Sequence, residues 1–289
     1  MWSGGKDSAL ALDRARDQGL EIGCLLNVID AATQRVRFHA TRAELIVAQA
    51  QALRIPLRQL AVGWPQFEAS FRAALAELAD EGYAGVILGD IHLADVRAWY
   101  EERVPAAALQ HVEPLWGEAP LALVREFVSR GGRAVVTCCE LAKLDERWLG
   151  RIIDERFVDE IAALPIDACG ENGEYHSFAF AGPSFAAPVG WVAGLRHLES
   201  GFLQLELLSP RDAVFATARE VVAAEAALAA AVRERRPGAW GKLAGLAVIA
   251  HRDKLGRKLE EPERRAVWDA LWREAHGIAD QRYHRPTTS

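Results

Sequence analysis

Between Gly19 and Cys139, short apolar runs alternate with longer amphipathic segments. This alternation is typical of a parallel β-sheet, because each strand must be followed by a helix that covers one face of the sheet and returns the chain to the same edge. The sequence therefore predicts an α/β fold with a doubly wound, mostly parallel sheet that binds ligands at the carboxyl ends of its strands. The predicted strands are Ile22–Ile29, Leu57–Val62, Gly85–Leu88, His111–Leu115 and Ala134–Cys138.

The amphipathic segments between these strands predict the crossover helices. Their apolar side chains recur at intervals of three and four residues, which places them on one face of a helix. Pro56 and Gly82 follow two of the segments and are typical helix stops. The predicted helices are Arg42–Leu53, Gln66–Asp80, Leu93–Arg103 and Pro120–Ser129.

The rhythm of the sequence changes after Cys139. A charged stretch over Leu144–Leu164 is followed by Tyr175–Phe180, where apolar and polar side chains alternate as in a strand. A further strand pair, Gly190–Leu195 and Phe202–Leu207, is expected to join the sheet or to form a small β-layer. The first domain therefore includes a small β-containing segment beyond the parallel sheet.

A helical appendage, residues 209–289, is predicted after a domain boundary near Leu208, so that residues 1–208 form the first domain. The appendage starts with a serine suited to the N-cap, a proline at the first helical position and an acid in the first turn. Its first helix is predicted to end before Pro237, and a second amphipathic helix is predicted to begin near Pro262. The sequence does not set the role of this appendage or the oligomeric state.

Composition and charge exclude several classes of protein. The 289 residues are 51% hydrophobic and 26% charged, as in an ordinary soluble globular protein, and no window approaches the ~20 apolar residues of a membrane span. A net charge of -6 argues against a broad surface for nucleic acid or membrane, which requires a basic face. The four cysteines lack C-x-x-C spacing, so neither a disulfide framework nor a zinc site is expected, and a reducing cytoplasm fits best. They are Cys24, Cys138, Cys139 and Cys169.

The segment Ser3–Ser8, SGGKDS, is built like a phosphate cradle. Its two glycines allow a tight turn and a close approach of the backbone to an anion, and the helix start that follows points unpaired N–H groups at that anion. The spacing differs from the Walker pattern G-x-x-x-x-G-K-[ST], so pyrophosphate binding is favoured over γ-phosphate transfer. Such a cradle normally follows a β-strand, and we expect upstream codons to encode one.

This loop resembles the PP-loop of the ATP pyrophosphatases, and a second motif narrows the resemblance. The segment Cys169–Phe178, CGENGEYHSF, is similar to the GE-x-GE signature of the diphthine–ammonia ligase family, which also begins with a PP-loop. Further segments between the two motifs resemble the same family in the same order, so that the resemblance covers about Met1 to Phe185. They are His39–Thr41, Gly89-Asp90, Pro114–Gly117 and Leu144–Arg151.

The resemblance implies both a fold and a reaction. The fold is that of the adenine nucleotide alpha hydrolase-like superfamily, which is Rossmann-like. The reaction is ATP-dependent amidation, in which a substrate carboxylate displaces pyrophosphate from ATP and ammonia then displaces AMP from the acyl adenylate. ATP and Mg²⁺ are the implied cofactors, and a small-molecule or protein carboxylate and ammonia are the implied partners, with neither nucleic acid nor membrane among them.

The resemblance also assigns roles to individual residues. The loop would hold the pyrophosphate, Lys6 would add a point charge, and Asp7 would help to hold Mg²⁺. Glu171 and Glu174 would suit a cationic part of the acceptor or the incoming ammonium, and His176 would orient substrate or move a proton. The implied catalytic residues are Lys6, Asp7, Glu171 and Glu174. The implied ATP-binding residues are Ser3, Gly4, Gly5, Lys6, Asp7, Ser8, Gly89 and Asp90. The implied substrate-binding residues are His39, Gly170, Glu171, Asn172, Glu174 and His176.

The chain departs from the family pattern at two positions. It reads GENGE over Gly170–Glu174 where archaeal and eukaryotic members often read GEGGE, and Ala181 stands where an Asp is frequent. Its Ala-rich and Arg-rich sequence also resembles bacterial proteins, and bacteria are not expected to make diphthamide. We therefore expect a different carboxylate acceptor. Because no glutaminase segment is visible, the nitrogen is expected to come from free ammonia or from a separate protein.

Two other functions stay open beside the ligase. A PP-loop enzyme of RNA thiolation would need paired reactive cysteines and a basic RNA-binding face, and the sequence offers neither. A non-catalytic nucleotide sensor would bind ATP or AMP and report its occupancy through the helical appendage. Purely structural interpretations stay open as well: a plain turn at Gly89-Asp90, a capping or surface role for His39, a solvated helix start at Leu144–Arg151, and ordinary turn acids at Glu171 and Glu174.

Overall fold

The computed structural model describes residues 1–36 and 41–278. These residues belong to two compact units, which are described separately. Unit 1 consists of Met1–Gly190 and Leu195–Leu207, and unit 2 consists of Trp191–Gly194 and the described chain from Leu208 onward.

The secondary structure is mixed. The strands are β1 (Leu25–Asp30), β2 (Arg35–Val36), β3 (Leu57–Val62), β4 (Gly85–Ile87), β5 (Gln110–Val112), β6 (Arg133–Glu140), β7 (Ile152–Ile153), β8 (Tyr175–Ala181), β9 (Val192–Glu199) and β10 (Phe202–Leu208). The α-helices are α1 (Lys6–Asp17), α2 (Ala43–Leu53), α3 (Phe67–Asp80), α4 (Ala94–Ala106), α5 (Pro120–Ser129), α6 (Glu155–Ile161), α7 (Pro210–Ala224), α8 (Ala226–Arg233), α9 (Ala239–Leu255) and α10 (Glu261–Ala275). Across residues 1–36 and 41–278, no helix is long and apolar enough to cross a bilayer.

Two parallel strand pairs form the part of unit 1 that carries the glycine loop. β1 pairs with β3 along its full length, from Leu25 opposite Leu57 to Asp30 opposite Val62, and β4 pairs with β5. The connections contain α2 and α4, which are the crossover helices that parallel pairing requires. These parallel strands and helices confirm the predicted α/β class.

The first two residues lie between these two strand pairs. The N–H of Trp2 donates to the carbonyl of Leu26 in β1 (2.8 Å), and the side-chain amide of Asn27 donates to the carbonyl of Trp2 (2.8 Å). The backbone nitrogen of Met1 donates to the carbonyl of Ile87 in β4 (2.5 Å). The glycine loop is therefore anchored directly between β1 and β4.

The largest sheet is built around β6 and is antiparallel. β6 pairs along its length with β8, near its start with β7 and near its end with β10, and β9 lies beside β10. Residues 134–139 are at most 2% exposed, which explains why they form an almost continuous apolar run in the sequence. Such a run predicts a buried strand but carries no sign of strand direction. Strands were therefore predicted at β6 and at its partners β8 and β10, whereas their antiparallel pairing was not.

β1 and β5 are among the strands whose bounds differ from the predicted ones. β1 begins at Leu25 rather than at Ile22. β5 ends at Val112 rather than at Leu115, because the chain turns where the N–H of Trp116 donates to the carbonyl of Glu113 (3.3 Å). Apolar side chains continue through this turn, so the hydrophobic pattern alone overstated the length of the strand.

Unit 2 contains four helices among its described residues, whereas the sequence predicted two. The first predicted helix is divided into α7 and α8 at Glu225, whose backbone leaves helical geometry (φ -111°, ψ 42°). α9 was not predicted because Gly241 and Gly245 lower helix propensity and its apolar side chains are not confined to one face. The four helices share an apolar core that includes Val214, Ala229, Leu243, Val267 and Leu271.

A buried histidine is expected to make the stability of unit 2 depend on pH. His251 is 2% exposed, and its Nδ1 lies 3.1 Å from the Thr217 hydroxyl. Burial lowers the pKa of His251 from its ordinary 6.5, and Lys254 adds to this effect. Below pH 6.5 the unfolded chain therefore binds more protons than the folded chain. The free energy of unfolding that neutral His251 contributes is complete above that pH and is lost as the pH falls toward the folded pKa, by at most about 1.4 kcal/mol per pH unit.

Amide hydrogen exchange of α7 and α9 measures this effect. After correction for intrinsic rates, opening of these helices should increase between pH 7 and pH 5 in the natural chain. A His251→Gln variant lacks the titrating group, so its opening should change much less over the same range. An equal increase in both proteins would show that another group is responsible.

Candidate active site

The glycine loop adopts a backbone conformation that favours glycine. Gly4 has φ +83°, and a Cβ there would lie 2.6 Å from Ile46 Cδ1 and 2.7 Å from Gln49 Oε1. Gln49 is fully buried, and its amide donates to the carbonyls of Gly4 (2.9 Å) and Ala179 (2.6 Å). It also accepts from the indole N–H of Trp2 (2.8 Å). Gln49 was not predicted as a site residue, because its position in the sequence indicated only the buried face of a helix.

Helix α1 begins at Lys6, directly after the glycines. The N–H of Lys6 donates to Ser177 Oγ (3.2 Å), and the N–H of Gly5 donates to Ser3 Oγ (3.3 Å). The hydroxyl of Ser8 is buried and donates to the carbonyl of Gly5 (2.9 Å). This helix start fits an anion such as pyrophosphate. The Ser8 hydroxyl, however, already has a partner within the loop.

The Lys6 side chain links α1 to the loop of residues 167–174, which we call the acidic loop. Its ammonium lies 2.8 Å from Asp7 Oδ2, donates to the carbonyl of Cys169, and lies 4.9 Å from the centroid of the Tyr175 ring. Burial alone would lower the pKa of Lys6, but the negative charge of Asp7 is the main effect that raises it, and the net pKa is well above the ordinary value. Lys6 therefore stays charged and holds the two segments together.

Glu171 enters the cavity beside the glycine loop. Gly170, which precedes it, has φ +76°, and a Cβ there would lie 2.6 Å from the carbonyl oxygen of Tyr175. This turn places Glu171 among the cavity-lining residues. Burial raises the pKa of Glu171 to about 7, and the negative charge of Asp7 contributes to the same shift. A carboxylate with such a pKa is suited to accept a proton near neutral pH.

Gly89 and Asp90 follow β4 and face the same loop. A Cβ on Gly89 would lie 3.1 Å from the carbonyl carbon of Asp7 and 3.2 Å from the backbone nitrogen of Ser8, so glycine permits the close approach of the two segments. Asp90 lines the cavity, and burial raises its pKa to about 6, with the Glu113 carboxylate as the second cause. The predicted segments of the ATP site therefore meet at one place.

Glu174 and Asn172 lie away from this cavity. Glu174 is 3% exposed and is not among the cavity-lining residues; its Oε1 accepts from the N–H of Asp167 (3.4 Å) and lies 3.9 Å from Lys143 Nζ. The carbonyl of Asn172 accepts from the same ammonium (2.9 Å). These contacts hold this part of the acidic loop against Lys143, outside the cavity lining, so the catalytic and substrate-binding roles expected for Glu174 have no support from its position.

The two predicted histidines have different outcomes. His176 lies in β8, opposite Cys138, and lines the cavity together with Ser177. His39 lies outside the described residues, so its predicted role in substrate binding stays a prediction.

The two remaining segments of the resemblance, Pro114–Gly117 and Leu144–Arg151, make packing and backbone contacts outside the cavity lining. Gly117 donates its N–H to the carbonyl of Ile91 (2.8 Å), and the ring of Trp116 packs on the guanidinium of Arg97 at 4.3 Å. These contacts fix the loop that follows β4. In the other segment, Trp148 is 1% exposed and the N–H of Gly150 donates to the carbonyl of Val136 (2.9 Å). Both segments therefore have structural roles.

A histidine–aspartate pair that the sequence analysis missed joins the loop after β4 to the acidic loop. His92 Nε2 lies within hydrogen-bonding distance of Asp167 Oδ2, and this bond raises the pKa of His92 above its ordinary value. The two residues are 75 positions apart in the sequence. Neither lies in a recognisable motif, so only the folded chain shows that they meet.

The cavity at this place has a volume of about 1050 Å³ and carries far more negative than positive charge. That volume is at the upper end of ordinary ligand pockets. Lys6 is the one lysine or arginine among its described lining residues. Its acidic lining residues are Asp7, Asp30, Glu68, Asp90, Asp95 and Glu171.

The residues that line this cavity can be compared with what ATP and Mg²⁺ require. The start of α1, where Lys6, Asp7 and Ser8 line the cavity, suits phosphate oxygens. Within the described parts of the chain, no group of three or more His, Cys, Asp or Glu side chains is arranged to hold a metal ion. Mg²⁺ usually needs only one or two protein carboxylates together with substrate phosphates, which Asp7 beside the loop could provide.

Comparison with protein families identifies two segments of the chain. A model of the diphthamide synthase N-terminal domain matches residues 1–108, and a model of the diphthamide synthase C-terminal domain matches residues 119–206. Comparison with curated proteins gives no match. These models define a family of ATP-utilising enzymes of the ligase type. The chain belongs to the diphthamide synthase family, that of the diphthine–ammonia ligases.

Proposed function

We propose that the protein is an ATP-dependent ligase that adenylates a carboxylate and converts it into an amide with ammonia. The observation that carries this proposal is that the phosphate loop and Glu171, whose pKa is raised to about 7, line one cavity. The phosphate loop is suited to bind the leaving pyrophosphate, and Glu171 is suited to accept a proton released by an amine. Both are needed for the two half-reactions, and they belong to different family domains.

In the first half-reaction, a carboxylate oxygen of the acceptor attacks the α-phosphorus of ATP, and the bond to the bridging oxygen of pyrophosphate breaks. The N–H groups at the start of α1 would receive the negative charge of the leaving pyrophosphate. Asp7 would hold Mg²⁺, which would neutralise phosphate charge when bound. Lys6, held by Asp7 and the carbonyl of Cys169, would contribute positive charge behind the loop rather than a direct contact.

In the second half-reaction, the nitrogen of ammonia attacks the acyl carbon of the adenylate and AMP leaves with the bonding electrons. The attacking nitrogen must lose one proton. Glu171 is the proposed acceptor of that proton, because burial and the charge of Asp7 bring its pKa to about 7. The same carboxylate would attract ammonium into the cavity before its deprotonation.

The charge of the cavity favours an acceptor that carries a cationic group beside its carboxylate. Asp95 is exposed at the wall of the cavity, and Asp90 lies deeper. Asp90 and Asp95 would both repel an acceptor that has two carboxylates and no cationic group. The departure from the family pattern at Asn172 lies on the exposed side of the acidic loop, so it does not alter the described lining of this cavity.

The cysteines provide an argument against RNA thiolation. Cys138 and Cys139 are buried in β6, and burial raises their pKa values to about 11 and about 12. Thiols with such pKa values are poor nucleophiles near neutral pH. We therefore keep the ligase as the proposal, and a nucleotide sensor remains an outcome of its test.

The proposal is tested by identifying the nucleotide that the enzyme produces. Purified protein is incubated with α-labelled ATP, Mg²⁺, ammonium chloride and a cell extract that contains small molecules and proteins. We expect labelled AMP together with pyrophosphate, in amounts that depend on the extract. Labelled ADP would contradict the proposal, and binding of ATP without turnover would favour a sensor.

An Asp7→Asn variant should lower the rate of AMP formation at least 100-fold. The substitution removes the carboxylate that would hold Mg²⁺ but keeps the size of the side chain, and Lys6 keeps its bond to the carbonyl of Cys169. Asp80→Asn is the matched control, because Asp80 is exposed and does not line the cavity. A variant at Asp7 with undiminished turnover would remove this residue from the proposed mechanism.

A further inference from the structure

The His92–Asp167 pair joins two loops that both reach the cavity wall. His92 lies in the loop after β4, two residues beyond Asp90, and its side chain is 34% exposed. Asp167 begins the acidic loop, and its side chain is 6% exposed. A carboxylate buried to this extent needs partners for both oxygens, because an unsatisfied charged group is costly in the interior.

The other oxygen of Asp167 sets the turn that leads to Glu171. Asp167 Oδ1 accepts from the N–H of Cys169 (2.7 Å) and from the N–H of Gly170 (3.1 Å). The backbone carbonyl of Asp167 accepts from the N–H of Gly170 as well (3.1 Å). Glu171 is the next residue, so the direction of its side chain depends on this turn.

The same turn is tied to the phosphate loop through Lys6. The carbonyl of Cys169 accepts from Lys6 Nζ, which also lies 2.8 Å from Asp7 Oδ2. A continuous series of contacts therefore runs from His92 through Asp167 and the turn to α1. It connects the three segments that form the proposed site.

We propose that His92 and Asp167 are positioning residues that hold Glu171 against the phosphate loop, an inference that rests on the proposed function. Two features of the turn make such support necessary. Gly170 (φ +76°) directly precedes Glu171 and Gly173 (φ +85°) lies two residues after it, and these glycines give the backbone little rigidity of its own. Negative charge on Asp7 and Asp90 also repels the Glu171 carboxylate from the place that it occupies.

Loss of the pair should lower the rate of amidation without weakening ATP binding. His92→Leu removes the donor and leaves Asp167 Oδ2 without its partner, so the turn relaxes and Glu171 moves. A displacement of about 1 Å in a catalytic group can cost about 100-fold in rate, and we expect a decrease of 10-fold to 100-fold at saturating ATP. The KM for ATP should change less than about threefold, because Gln49 and Ser177 hold the phosphate loop independently.

Two further variants separate positioning from simple damage. His92→Gln keeps an N–H donor and should recover most of the lost rate. Asp167→Asn keeps an oxygen for the N–H groups of Cys169 and Gly170 but loses the charge that pairs with His92, so it should resemble His92→Leu. His197→Gln is the matched control, because His197 is exposed in β9 and does not line the cavity.

The reactivity of Cys169 reports on the turn without reference to catalysis. The Cys169 thiol is 3% exposed and donates to the carbonyl of Pro120 (3.2 Å), and burial raises its pKa, so it should react slowly with a thiol reagent while the turn is closed. In a Cys24→Ala background, which removes the partly exposed thiol, His92→Leu and Asp167→Asn should accelerate labelling of Cys169 at least tenfold. His92→Gln and His197→Gln should label at the parent rate.

The combined outcomes distinguish this inference from the proposed function. Unchanged labelling of Cys169 in both folded variants would overturn the inference, and so would faster labelling with an undiminished rate of AMP formation. Another outcome is that labelling accelerates as expected while the natural protein forms no AMP from α-labelled ATP with ammonium and extract. In that case the His92–Asp167 pair does hold the turn, and the ligase proposal fails.

Discussion

Replacing Glu171 with glutamine is expected to lower the rate of ammonia-dependent amide formation by roughly 10²-fold to 10⁴-fold, the range typical for loss of a general base. The glutamine has nearly the same shape but cannot accept the proton that leaves the attacking nitrogen. In the natural protein the rate should rise with pH through about 7, because burial and the charge of Asp7 set the pKa of Glu171 there. At a constant concentration of free ammonia, this rise should disappear in the variant.

Hydroxylamine provides the control for this prediction. It is largely unprotonated at neutral pH and a stronger nucleophile than ammonia, so it needs less help from a base. The Glu171→Gln variant should therefore form AMP with hydroxylamine at a rate close to that of the natural protein. If hydroxylamine and ammonium lose the same factor, Glu171 acts in adenylation or in binding, and its role as the base would be wrong.

Replacing Gly4 with alanine is expected to destabilise the protein by about 3 kcal/mol and to weaken ATP binding at least 100-fold. The added Cβ would lie 2.6 Å from Ile46 Cδ1 and 2.7 Å from Gln49 Oε1, and Gln49 cannot move without losing its bonds to Gly4, Ala179 and Trp2. Strain at positive φ and overpacking each cost about 1–3 kcal/mol. Thermal denaturation and titration with a fluorescent ATP analogue measure the two effects.

Gly82→Ala separates the two causes. Gly82 has φ +87°, but a Cβ there meets nothing within 4 Å, and the residue lies at the end of α3 rather than in the cavity wall. This variant should lose only the ~1–2 kcal/mol of backbone strain and should bind ATP normally. Equal losses in both variants would show that contact with Gln49 does not matter.

Much of the fold could be predicted from hydrophobic pattern, and the exceptions have a common physical cause. β3 and α5 have the predicted bounds. α5 buries Leu123, Val124 and Phe127, and a helix with one buried face shows that face in its periodicity. β6 was predicted as a strand but not as the centre of an antiparallel sheet, since burial on all sides removes the pattern that indicates direction. α9 was not predicted, because its own apolar side chains lie on both its buried and its exposed faces.

The site was predictable where its chemistry lies in a continuous segment. The phosphate loop and the turn at Glu171 are short motifs, and the structure brings them to one cavity. Gln49, His92 and Asp167 act through contacts between distant segments, which no local pattern records. Two acids with equal standing in the motif, Glu171 and Glu174, point to different environments, because the turn between them reverses the chain.

Incorporation of ¹⁵N tests the central claim most directly. The natural protein is incubated with ATP, Mg²⁺, ¹⁵N-ammonium and the extract, and the products are analysed by mass spectrometry together with AMP. The account predicts a new amide that contains one ¹⁵N atom for each AMP released, and its absence when Asp7→Asn replaces the natural protein. AMP released without any ¹⁵N in a product would contradict the account, because the adenylate would then pass to water or to another acceptor rather than to ammonia.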